Sequence, residues 1–99
     1  MGVRSRTSDV IYSQMLLTTA KSVAISALKI ADSIQSDKVA NQVLAMAAIL
    51  VCMMHHYNLD YTDVLGIADN MVYSGENNNM KPEFKAITNY MKDDWELNI

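Results

Sequence analysis

The sequence predicts an all-α protein of four helices. A long antiparallel hairpin, over about residues 10–34 and 38–57, is covered by two shorter helices over about 61–73 and 82–96. Three observations predict this. Apolar residues fill 51% of 99 positions, well above the range of chains too polar to fold. One Pro and three Gly leave few interruptions, while eight unbranched Met favour helix. Apolar positions recur at helical spacing, and no stretch shows convincing strand alternation. A chain of this length makes one domain, here a flexible polar arm over 1–8 followed by a helical domain over 9–99.

Ser8 and Asp9 offer N-cap oxygens ahead of the first helix. Within it, Leu16, Ala20, Val23, Ala27, Ile30 and Ile34 recur at spacings of 4, 3, 4, 3 and 4. Ala24, Leu28 and Ala31 widen this stripe, and its small side chains would let another helix approach closely. With no Gly or Pro between Asp9 and Gly66, a continuous helix over 10–34 is expected, about 38 Å long. Its opposite face carries Ser22, Ser26, Lys29 and Ser33, a solvated stripe whose hydroxyls and single ammonium could also cradle a small anion such as a nucleotide.

Gln35 to Lys38 breaks the pattern, and Ser36 or Asp37 can cap the second helix. From Val43 to Met54 every residue is apolar. Such a helix must be covered on all sides, which three further helices could do only in part. Self-association through the hairpin is therefore expected, as a dimer or larger oligomer. Twelve residues fall short of the roughly 20 that cross a bilayer, so the run reads as a core helix with no membrane role. Cys52 lies inside it and is expected to be a buried, inert small hydrophobe. As the single cysteine it can form no intramolecular disulfide, which fits a reducing, cytoplasmic setting.

Asp60 begins the third helix as a cap, with Asp63 three residues on, and Val64, Leu65, Ala68, Met71 and Val72 should face inward. Gly66 in mid-helix suggests a close helix crossing. Residues 74–81 form a polar loop. Pro82 then suits a first helical position, and Phe84, Ile87, Met91 and Trp95 give the fourth helix its stripe.

Charge narrows the possible partners. Residues 1–57 carry five basic and three acidic side chains and residues 58–99 three and eight, so the halves are +2 and −5 within an overall −3. General nucleic-acid binding, which needs a basic face, is not expected. The acidic half also holds Tyr61, Tyr73, Tyr90 and Trp95, residue types enriched at interface cores. With Asp93 and Asp94 they form the candidate partner-binding set.

The chemistry of a catalytic site is sparse. Cys52, His55 and His56 cluster near one helical turn, yet a metal needs three or four converging ligands. Glycine is too scarce for a phosphate loop or dinucleotide fingerprint. The reading is no cofactor, no metal and no enzyme, with a metal-dependent enzyme around His55 and His56 as the alternative.

The stretch Leu59-Asp60-Tyr61-Thr62-Asp63-Val64-Leu65, followed by Pro82-Glu83-Phe84-Lys85-Ala86-Ile87 and Tyr90, resembles short helical accessory proteins of tailed bacteriophages. The resemblance covers about the last 40 residues and includes no catalytic motif. It implies a protein of the bacterial cytoplasm that binds a host protein and inhibits or redirects it.

Overall fold

The computed structural model describes residues 6–75 and 78–99. These form five α-helices and no strand: α1 (Arg6–Leu17), α2 (Ala20–Ile34), α3 (Val39–Tyr57), α4 (Tyr61–Val72) and α5 (Pro82–Asp94). The all-α class agrees with the periodicity. The number of helices does not, because the expected helix over 10–34 is two.

The break falls at Thr18-Thr19. Thr19 is extended, with φ −81° and ψ 149°, and its Oγ1 accepts the Ser22 N–H as the N-cap of α2. Thr18 Oγ1 donates to the Gln14 carbonyl at 2.7 Å, drawing the end of α1 closed. Hydroxyl side chains offer the backbone these alternatives to a continuing helix. The apolar spacing runs through the break unaltered, so only the threonine pair marks it.

At the other end, Ser8 and Asp9 lie inside α1, which already includes Arg6 and Thr7, so neither caps its start. Residues 1–5 of the expected arm lie outside the described residues. Ser8, in the first turn of α1, is 0% exposed, and its Oγ donates to the carbonyls of Tyr57 (2.9 Å) and Asn58 (3.0 Å). One turn later Tyr12 is buried, and its hydroxyl oxygen accepts the Asp60 N–H at 2.7 Å. These ties fasten α1 to the corner between α3 and α4. Asn58 makes that corner in the left-handed region, with φ 54° and ψ 52°, a conformation asparagine tolerates better than most residues. Asp60 caps α4 as expected, its Oδ1 accepting from the N–H groups of Thr62 (2.8 Å) and Asp63 (3.3 Å). Beneath the corner Tyr12, Met54 and Leu59 form a core, packed by Ile11, Met15, Leu50, Val64 and Ile67.

The extensive helix–helix contact among the described residues joins α2 to α5, in place of the expected hairpin pairing with α3. Ala24 and Ala31 are buried on α2, and Phe84 is buried on α5. The alanines do admit a close neighbour, but that neighbour comes from the end of the chain. The C-terminal tail then closes the α2–α3 turn. Asn98 accepts the Val39 N–H at 2.8 Å through its carbonyl and donates to the Ser36 carbonyl at 3.0 Å through its amide. Buried Gln42 donates to the Ile34 carbonyl at 2.9 Å. The expected Ser36 or Asp37 cap is not used, because Lys38 is the N-cap and makes no side-chain bond there. Residues of the tail and of α3 itself satisfy the turn instead.

Three smaller expectations also change. A Cβ built at Gly66 meets nothing within 4 Å, so no helix crosses closely there. Leu65, expected inward, is 52% exposed, and Ala68 is exposed as well, while Val64, Met71 and Val72 are half-buried. Pro82 opens α5 as expected, but the helix ends at Asp94, two residues short of the expected 96. The loop before α5 is pinched by an antiparallel bridge between Tyr73 and Met80, closed by the Lys81 N–H on the Val72 carbonyl at 2.7 Å.

The largest correction concerns α3. Only Gln42 and Met54 are buried along it. Val43 is 61% exposed, Leu44 68% and Ile49 54%. Cys52, expected to be buried, is exposed. With α2 committed to α5, no helix among the described residues lies along the outer side of α3. The chain as a whole is also open: Leu16, Leu17, Leu97 and Ile99, outside α3, are 73%, 84%, 78% and 89% exposed. The chain exposes 7477 Å², where a folded monomer of its 11.1 kDa exposes about 5,700 Å². Its radius of gyration is 14.9 Å, against about 13 Å for this length.

Candidate functional site

Successive side chains turn by about 100° around a helix, which separates the two sides of α3. Val39, Leu50 and Met54 point toward the rest of the chain and are half-buried or buried, although Val43 on the same side is 61% exposed, so the first turns of α3 are open there too. On the opposite side Asn41, Ala45, Ala48, Cys52 and His55 follow one another at spacings of 4, 3, 4 and 3, and all are exposed. Leu44 and Val51 flank this row on one side and Ile49 on the other, all large, apolar and exposed. A shallow groove lined by Ala48, Ile49, Cys52, Met53, His56 and Tyr57 runs along it. The surface is apolar in its middle and polar at both ends. Sequence reading placed these residues in a core. The available signal was the all-round apolar run itself, which demands cover without saying which molecule supplies it.

A second cluster forms where α5 ends against α2. The Tyr90 hydroxyl donates to Asp32 Oδ1 at 2.6 Å, with Gln35 Oε1 3.1 Å from the same oxygen. The carboxylate that accepts this bond disfavours the phenolate, and desolvation adds to the effect, so the Tyr90 pKa is raised above the ordinary 10.0. Trp95 meets Tyr90 edge-on, with ring centroids 6.2 Å apart. Its buried Nε1–H makes no hydrogen bond of good geometry, and its effect on Tyr90 is opposite in sign to that of Asp32. Beside the cluster a cleft of about 380 Å³ is lined by Asp32, Gln35, Ser36, Asp94, Trp95 and Glu96. On its other side a groove of about 430 Å³ runs between Ala24, Ile25 and Leu28 of α2 and Ala86 and Ile87 of α5.

The partner-binding candidates are thus divided. Tyr90, Asp94 and Trp95 come together, and Asp93 stands next to them, exposed at the end of α5. Tyr61 and Tyr73 stand at opposite ends of α4, twelve residues or about 18 Å apart, so they cannot share one small patch. Asp32 and Gln35, which hold Tyr90, were not among the candidates, because no local pattern connects α2 with the chain's last helix.

Ser22, Ser26, Lys29 and Ser33 are all exposed and lie on the side of α2 opposite buried Ala24 and Ala31. Ser33 spends its hydroxyl proton on the Ile30 carbonyl at 2.7 Å. His55 and His56 are exposed at the end of α3, where His56 packs edge-on against Tyr57 at 4.7 Å. Among the described residues no three His, Cys, Asp or Glu side chains are grouped to hold a metal ion. No protein-family model, curated protein or solved structure matches the chain significantly.

Proposed function

We infer that this protein is a small helical protein-interaction module that assembles with itself through α3 and acts by contact with a second protein. The uncovered apolar side of α3 carries the reading. Contiguous exposed apolar surface on a small folded chain marks an interface. Val43, Leu44, Met46, Ile49, Val51 and Met53 of α3 are all exposed, the largest group of such side chains on one helix of the chain. The second partner is a bacterial host protein that the module inhibits or redirects in the cytoplasm, a part of the reading that rests on the phage-protein resemblance of residues 59–65 and 82–90. The acidic end of α5, with Asp93, Asp94 and Trp95, is the surface offered to it. Light scattering coupled to size-exclusion chromatography at micromolar concentration tests the assembly. A mass at a multiple of 11.1 kDa is expected, and 11.1 kDa itself would overturn it.

One observation favours a bilayer as the alternative cover. By length and composition α3 is able to cross a membrane, and at 19 residues it spans about 28 Å. Two features favour protein instead. Gln42 is anchored in the fold near the start of α3, and His55 and His56 close its other end. The apolar stretch between them, Val43 to Met54, covers only about 18 Å. Flotation of the protein with phospholipid vesicles would support the bilayer.

A further inference from the structure

We propose that two copies of the chain pack their α3 helices antiparallel, with the two-fold axis passing beside Ala48. This inference rests on the self-association read above and adds its geometry.

A two-fold contact is self-complementary, so each residue on one copy meets a fixed counterpart on the other. The outer row of α3 is symmetric about its middle. Asn41 and His55 are the polar ends, and both lie seven residues from Ala48. An axis there sets Asn41 of one copy against His55 of the second, an amide facing an imidazole at each rim. It also sets Leu44 against Cys52 and Ala45 against Val51. In both of these pairs a large side chain meets a small one, as close packing requires. Ala48 meets Ala48 at the axis, where small side chains let helices approach to about 9 Å. The parallel arrangement loses all of this. It sets Leu44 against Leu44 and Ala45 against Ala45, leaving a bulge beside a gap, and it aligns the two helix dipoles. The residues that this contact pairs are open to a second copy: Leu44 is 68% exposed, Val51 49%, and Asn41, Ala45, Ala48, Cys52 and His55 are exposed as well.

Cysteine cross-linking reads the register directly. At the axis the two Ala48 Cα atoms approach to about 4–5 Å, within reach of a disulfide. The two Cys52 positions are displaced along the helices by about 12 Å, beyond that reach. The Ala48→Cys variant, made in a Cys52→Ser background, should form a disulfide-linked dimer on mild oxidation, while the native chain should not. Asn41→Cys with His55→Cys in the same background provides a second variant at the tolerant rim, and it should also cross-link. Light scattering accompanies each sample. A dimer that cross-links through Cys52, or through neither engineered site, overturns the register and leaves self-association standing. A monomer overturns both.

Discussion

The Tyr90 hydroxyl reaches Asp32 at 2.6 Å across 58 positions of sequence, and this bond fixes where α5 comes to rest on α2. Tyr90 in turn presents its ring to Trp95, so the end of α5, the tail beyond it and the last turns of α2 form one connected unit. Because α2 is occupied in this way, no helix among the described residues lies along the outer side of α3.

The Tyr90 contact should fail at alkaline pH. The hydrogen bond to Asp32 holds the phenol protonated above its ordinary 10.0. A group whose folded pKa is raised gives its full stabilisation below the unfolded value and loses it as pH rises through the folded one. Fluorescence of Trp95, the single tryptophan, should therefore stay constant up to about pH 10 and change beyond it. In Tyr90→Phe the alkaline change should shrink or vanish. A wild-type transition below pH 10 would contradict the assignment.

Ser8 and Tyr12 should each matter more than a surface hydroxyl. Ser8→Ala removes a buried donor from the carbonyls of Tyr57 and Asn58, and Tyr12→Phe leaves the Asp60 N–H without its acceptor. Either change should cost about 1–2 kcal/mol in urea unfolding. Ser13→Ala, on the exposed side of α1, is the control and should change little.

Gly66→Ala should stabilise the chain. The position is interior to α4, and a Cβ there meets nothing within 4 Å. Alanine is favoured over glycine in a helix interior by about 1 kcal/mol. Thermal unfolding should show a rise in Tm of a few degrees. A fall would mean that another molecule approaches Gly66 in solution.

The all-α class was legible because helical spacing repeats over every long segment, and Asp60 and Pro82 mark helix starts by local chemistry. Other features had no local signature. Two threonines interrupt α1 and α2 without disturbing the apolar rhythm, so the hydroxyls had to outweigh it. The alanine face of α2 announced a close neighbour and could not say whether α3 or α5 would take the place. Cys52 illustrates the limit most clearly. On a helix that is apolar on every side, no pattern distinguishes the residues that one chain buries from those it leaves for another.

The central claim is that the outer side of α3 is covered by a second copy. Sedimentation equilibrium of the wild type beside Ala48→Glu tests it most directly, since the variant sets a carboxylate at the centre of that side without touching the Tyr12, Met54 and Leu59 core. The expected result is a wild type at a multiple of 11.1 kDa and a variant at 11.1 kDa with unchanged helical circular dichroism. A wild type that sediments at 11.1 kDa, or a variant that associates as strongly as the wild type, would contradict it.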